Sequence, residues 1–169
     1  MVLSGGQDST TCLHWALNRY KDVSAITYDY GQKHDAEVKA AEAIAKLNGV
    51  AWGLIKVPRM AGKSPLTNVE VDLGKYDNIN LLPGGIEPTF VPGRNIIFLA
   101  LAANRAGARG AEAIITGLCQ EDYGGYPDCR RAFVDSMERS INMGLKGSSP
   151  PIRIITPLMR LTKAESVKL

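Results

Sequence analysis

Apolar and polar positions change period several times along the chain. Cys12, Leu13, Ala16, Leu17 and Tyr20 recur at steps of three and four, which predicts an amphipathic helix after a short apolar start at Met1–Leu3. Val23–Tyr28 is a run of β-branched, small and aromatic residues and predicts a buried strand. The helical period returns over His34–Leu47, with Ala40, Ala41, Ile44 and Leu47 predicted to face inward and Asn48-Gly49 as the stop. Ala51–Val57 predicts a third strand. Asn95–Arg105 reads as a buried helix, Ala113–Thr116 as a fourth strand, and Arg130–Met143 as a helix carrying Phe133, Val134, Met137 and Ile141 on one stripe. Ile152–Ile155 predicts a fifth strand, and Thr162-Lys163-Ala164-Glu165 has the spacing of a capping box that opens a last helix.

Residues 58–93 break this rhythm. Five prolines (Pro58, Pro65, Pro83, Pro88 and Pro92), with Gly62, Gly74, Gly84 and Gly85 between them, punctuate a long loop excursion, and loops of that length are usually functional or disordered. Strands alternating with helices imply an α/β fold, a parallel sheet with helices on both faces. Ligands of such sheets bind beyond the carboxyl ends of the strands. The opening glycines, the excursion and the Thr116–Arg130 loop all leave such ends and are expected on one rim.

Composition narrows this little. A chain of 169 residues fits a single domain, here residues 1–169. A net charge of +3 suits anionic ligands but does not argue for nucleic acid. No apolar run is long enough to span a bilayer and no signal peptide precedes the first strand, so no membrane partner and a cytoplasmic location are expected. Cys12, Cys119 and Cys129 form no metal-spaced pair and fit reduced thiols.

The chemistry begins at Ser4-Gly5-Gly6-Gln7-Asp8-Ser9. Gly5 and Gly6 are free to take positive φ, so consecutive amides can converge on an anion. The following helix adds unpaired amides and a partial positive charge, and Ser4, Ser9, Thr10 and Thr11 add hydroxyls. The spacing is neither the Walker A loop nor the dinucleotide G-x-G-x-x-G. The plainer alternative makes Asp8 or Ser9 a helix N-cap and the glycines a tight turn.

The string resembles the PP-loop of ATP pyrophosphatases, with their adenine nucleotide alpha-hydrolase-like fold. With "YDYGQKH", "FVPGRN", "TGLCQEDYGGYPDCR" and "TPLMRLTKAE" in that order, the chain from Val2 to about Glu165 is similar to the 7-cyano-7-deazaguanine synthase family. The resemblance implies a ligase that adenylates 7-carboxy-7-deazaguanine with ATP and Mg²⁺. Ammonia then displaces AMP, and a second adenylation yields the nitrile of the queuosine and archaeosine pathways. It implies ATP contacts from Leu3, Ser4, Gly5, Gly6, Gln7, Asp8, Ser9, Thr10, Thr11, Tyr28 and Gly117, with Lys163 reaching the phosphates from the opposite side. Asp8, Arg94 and Lys163 are the expected catalytic set.

Other positions keep two readings. Arg94 either forks onto a phosphate or the substrate carboxylate, or is solvated beside an Asn95 N-cap. A deazaguanine presents N1–H and a 2-amino group side by side. Asp128 or Glu121 is expected to accept both, with Tyr126 stacking on the ring; a solvated acidic turn is the alternative. Arg130 is expected to meet the substrate carboxylate or to fix Asp128. Cys129 reads as a small buried filler rather than a nucleophile. His14 reads as surface, and His34 as either helix-start decoration or a site residue.

The resembled family continues beyond this sequence into a four-cysteine zinc site. None of the three cysteines here matches those ligands, so the chain is expected to be truncated at the C-terminus and to hold no metal through them. A homodimer is an expectation from the family alone. Two further hypotheses are a relative adenylating a tRNA base or a protein terminus, and a non-catalytic ATP-binding module.

Overall fold

The computed structural model describes residues 1–31, 35–58, 60, 90–120 and 126–169. Four strands form two parallel pairs: β1 (Ser24–Asp29) with β2 (Ala51–Lys56), and β3 (Ala113–Ile115) with β4 (Arg153–Ile155). The predicted first strand is not a full strand. Its place is nevertheless central, because it joins the two pairs. Val2 forms a single parallel bridge to Ile26, the Leu3 amide donates to the Ile26 carbonyl at 2.9 Å, and the Val2 amide donates to the Ile115 carbonyl at 2.8 Å. The order across the layer is therefore β2, β1, residues 1–3, β3 and β4. Backbone bonding runs across the whole layer, as buried amides require.

Alternation along the strands sends side chains to two faces. On one face Leu3, Ala25 and Val50 pack with Leu13 of α1 (Gln7–Leu17) and with Ala41 and Ala45 of α2 (Asp35–Leu47). On the other, Ile26, Ile114 and Ile154 pack with Leu99, Ala102 and Ala103 of α3 (Arg94–Ala108) and Val134 and Ile141 of α4 (Arg131–Gly144). The predicted two-sided covering is what the chain builds. The free edge of β4 is also closed: Glu138 Oε2 accepts the Ile154 amide at 2.6 Å, and Asn142 exchanges two bonds with the Ile152 backbone.

Several expectations need correction. Leu47 does not face the core but is 87% exposed, because the buried stripe of α2 runs through Ala41 and Ala45, and Leu47 lies off it. Asn95 is not an N-cap: α3 begins one residue earlier, with Gly93 at φ 75° as its cap. The start of α1 is likewise capped by Gly6, with no side-chain cap bond, so neither Asp8 nor Ser9 is the N-cap. Gly49, at φ 66°, ends α2 as predicted. The Thr162–Glu165 capping box forms and opens α5 (Lys163–Lys168). Of the 58–93 excursion, Arg59 and residues 61–89 lie outside the described residues. No helix among the described residues is long and apolar enough to cross a membrane.

Candidate active site

The segments that leave the carboxyl ends of the central strands meet around the start of α1. Residues 4–6 follow the central segment directly. Gly5 sits at φ 87°, but Gly6 is at φ −79° and ψ 165°, so one glycine rather than two occupies the left-handed region. Gly5 is held for a second reason. A Cβ there would stand 2.4 Å from the Glu37 carbonyl oxygen and 2.9 Å from the Ala41 amide nitrogen. The turn is pressed against the backbone of α2.

Hydroxyls lock the turn from within. Ser9 is buried; its Oγ donates to the Gly6 carbonyl at 2.9 Å and lies 3.1 Å from both the Ser4 amide and the Ser4 hydroxyl. Ser4 Oγ in turn accepts from the Gly6 amide at 3.3 Å, and Thr10 Oγ1 donates to the Gly6 carbonyl at 2.9 Å. Ser9 thus shapes the loop rather than presenting a free hydroxyl. The first-turn amides of α1, with no side-chain cap, retain the character of an anion site.

Two further segments close on this turn. Gly117, two residues past β3, lies so near α1 that an added Cβ would be 3.2 Å from Asp8 C and Ser9 N. The stretch after β4 delivers Lys163, whose Nζ lies 2.5 Å from Asp8 Oδ2. The other carboxylate oxygen, Asp8 Oδ1, is buried with no hydrogen-bond partner among the described residues. Asp8 therefore joins α1 to α5 through one oxygen and keeps the other unsatisfied.

The second half of the rim is built by α3 and the turn Pro127–Cys129. Arg94 is half-buried at the first position of α3; its amide donates to the Val91 carbonyl at 3.2 Å, while its guanidinium makes no hydrogen bond or ion pair among the described residues. Beside it, the buried Asn95 amide donates to Asp128 Oδ2 at 3.3 Å, and Asn95 Nδ2 donates to the Asp128 carbonyl at 3.4 Å. Asp128 is itself 6% exposed, so the alternative of a solvated acidic turn does not hold for that residue. Tyr126 stands half-buried with its ring 5.2 Å from that of Phe90.

Arg130 does not fix Asp128. Its Nη1 donates to the Gln120 carbonyl at 2.7 Å, while Gln120 Oε1 accepts the Arg131 amide and the Gln120 amide donates to Met159. Gln120 ties both flanks of the 121–125 stretch to the segment after β4, a role that no local motif signalled. Glu121, Asp122 and His34 lie outside the described residues.

Tyr28 is a core residue by its side chain. Its ring stacks on Phe98 at 4.1 Å, its hydroxyl donates to the Phe98 carbonyl at 2.7 Å, and burial pushes the phenol pKa up. Leu3 and Thr11 contribute position: Leu3 is fully buried beneath the turn, and Thr11 is half-buried on the second turn of α1. Gln7 is exposed at the first position of α1, and His14 is exposed, as expected.

Among the described residues no group of three or more His, Cys, Asp and Glu could hold a metal ion. Cys12 faces the Thr116 carbonyl, Cys119 the Leu161 carbonyl and Cys129 the Asn95 amide group, so the cysteines do not fit a zinc site. A cavity of about 790 Å³ opens at the opposite edge of the sheet, between the first residues of β1, β2 and β3 (Ser24, Ala51 and Ala113), and takes no part in the cradle.

A two-faced parallel sheet whose central segment runs into a glycine turn, a helix with no side-chain cap and a facing lysine defines a nucleotide-binding α/β protein of the PP-loop type. Solved structures agree on the fold. A predicted subunit of tRNA methyltransferase from Methanocaldococcus jannaschii matches with a TM-score of 0.59 at 21% identity, over 99% of this chain and 71% of that one. The U34-tRNA thiolase NcsA from Methanococcus maripaludis, solved with its [4Fe-4S] cluster, matches with a TM-score of 0.54 at 14% identity, over 99% of this chain and 53% of that one.

Within that class the chain belongs to the family of queuosine biosynthesis protein QueC, whose model matches residues 1–169, and it is an enzyme of that family. Two similar relatives are named 7-cyano-7-deazaguanine synthase. That of Gloeobacter violaceus is 49% identical over 171 residues, covering all of this chain and 73% of the relative. That of Laribacter hongkongensis is 47% identical over 173 residues, covering all of this chain and 72% of the relative.

Proposed function

We propose that this chain converts 7-carboxy-7-deazaguanine and ammonia into 7-cyano-7-deazaguanine at the expense of ATP, through adenylated intermediates. The observation that carries the reading is the convergence of Asp8 and Lys163 on a glycine turn whose helix has no side-chain cap. In the reaction, a substrate carboxylate oxygen attacks the α-phosphorus, the bond to pyrophosphate breaks, and an acyl adenylate forms. Ammonia adds at the carbonyl carbon and AMP leaves with the first oxygen. The amide oxygen then takes AMP from a second ATP. Loss of that AMP and of the nitrogen's remaining protons gives the nitrile.

The residues suit these steps. The amides of Gln7, Asp8 and Ser9 would hold the departing pyrophosphate, with Lys163 adding a point charge from the far side. Gly117 keeps the floor of the cradle free of side chains. The Arg94 guanidinium would meet a phosphate or the substrate carboxylate. Tyr126 would lie against the deazapurine, and a carboxylate of the Glu121–Asp128 stretch would accept its two donors. The unsatisfied Asp8 oxygen suits a hard divalent cation. Mg²⁺ held there would neutralise phosphate charge during transfer. Ammonia, the nucleotide and the deazapurine are all small partners; a homodimer remains a proposal of the same kind.

The test is product analysis. Release of AMP and pyrophosphate dependent on 7-carboxy-7-deazaguanine supports the reading, and release of ADP and phosphate contradicts it.

A further inference from the structure

The N-termini of α1 and α3, both on the rim, differ in one respect. The N-terminus of α1 has no side-chain cap, whereas that of α3 already has an anion on it: Asp128 Oδ2 takes the Asn95 amide. The carboxylate comes from a turn 33 positions away, and the contact is doubled by Asn95 Nδ2 on the Asp128 carbonyl. Asn95 Nδ2 also faces Cys129 Sγ at 3.6 Å, and the Cys129 thiol faces Asp128 Oδ1 at 4.0 Å. Both partners are buried, Asn95 at 8% and Asp128 at 6% exposure. A carboxylate so enclosed has one oxygen committed to a backbone donor and little room for an outside base. Arg94 is the residue next to Asn95, and the turn before it rests on Gly93 at φ 75°, a conformation that glycine takes freely.

We propose that Asp128 is a positioning residue rather than the reader of the purine edge. Through Asn95 it pins the first turn of α3 and so sets where the Arg94 guanidinium stands. Its charge also satisfies the helix terminus from inside the protein, which leaves α1 as the rim helix that takes phosphate. This rests on the proposed function for the identity of the ligand, but the latch itself does not.

The experiment compares Asp128→Asn, Asp128→Ala, Arg94→Ala and the Arg94→Ala/Asp128→Ala double variant in the full chain. Calorimetry reads binding of 7-carboxy-7-deazaguanine with and without ATP, and hydrogen exchange reads the amides of residues 93–97. Asparagine retains an acceptor for the Asn95 amide but not the charge that a purine edge would need. A positioning role predicts that Asp128→Asn keeps slow exchange and binds within about tenfold of the parent, where the alanine variant loses more. It also predicts that the double variant is no weaker than Arg94→Ala, since coupled residues are non-additive. If Asp128→Asn loses binding a hundredfold or more while exchange at 93–97 stays slow, the carboxylate reads the substrate and the proposal is wrong. If the parent chain does not bind the deazapurine, the functional reading fails. The latch is then judged by exchange alone: faster at 93–97 in Asp128→Ala supports it, and unchanged overturns it.

Discussion

Lys163 Nζ stands 2.5 Å from Asp8 Oδ2, across 155 positions of sequence. The contact links the first turn of α1 to the first turn of α5 on the rim of the sheet. Lys163 is 58% exposed on its side chain and Asp8 24%, so water screens the pair and its worth to stability is about 0–1 kcal/mol. Its value lies in where it puts a cation. Lys163→Met is expected to leave the unfolding midpoint nearly unchanged and to lower kcat for AMP release by about 10²-fold, the usual cost of one preorganised charge contact. Paired denaturation and product assays check this. A large fall in stability with intact turnover would assign Lys163 to the scaffold.

The two glycines of the turn should behave differently. Gly5→Ala meets both a positive φ and the Glu37 carbonyl at 2.4 Å, and is expected to cost about 3 kcal/mol or more in stability. Gly6→Ala has ordinary φ, with Ser4 Oγ at 3.5 Å as its nearest neighbour, and should change stability by less than about 1 kcal/mol. Urea midpoints of the two variants decide this; equal losses would mean that the turn is not clamped against α2.

That contrast marks what the sequence could and could not say. Periodicity found α1, α3 and α4 and the alternation of strands, because each follows from local steps of side-chain burial. It misplaced Leu47, since a lone apolar residue at the end of a helix fits two stripes equally until the sheet is present. The glycine pair was legible as a turn, but only packing against Glu37 and Ala41 shows which glycine is irreplaceable. Asp8, Lys163 and Asp128 were legible as rim residues and Asn95 only as a helix cap, and no spacing rule links the Asp8–Lys163 or Asn95–Asp128 pairs across such separations. Gln120 went unnoticed because its three bonds reach Arg130, Arg131 and Met159, through backbone groups that carry no sequence signal.

Gly117→Ala should act on function through position. An added methyl must displace the backbone of Asp8 and Ser9, at 3.2 Å, rather than a flexible side chain. The expected result is a loss of about 1–3 kcal/mol in stability together with weaker ATP binding. Calorimetry with ATP checks it; unchanged affinity would detach Gly117 from the cradle.

Alkaline pH should weaken the fold. Burial, with help from the Asp8 charge, pushes the Cys12 thiol up from its ordinary 9.0 to about 12, and burial pushes the Tyr28 phenol up as well. Both groups are held protonated in the folded state. Their contribution is therefore complete below pH 9 and is lost as pH rises through the folded values, because the unfolded chain releases those protons first. Urea midpoints should fall between pH 9 and 11, and Cys12→Ala should flatten part of that fall. A midpoint constant over this range would show that neither group is shielded as described.

In the proposed function, the turn at Ser4–Thr10 holds the outgoing pyrophosphate. A crystal structure with a non-hydrolysable ATP analogue measures this directly. The β and γ phosphates are expected on the amides at the start of α1, with Lys163 Nζ turned from Asp8 to a phosphate oxygen. A triphosphate seated on the start of α3, or at the amino edge of the sheet, would contradict it.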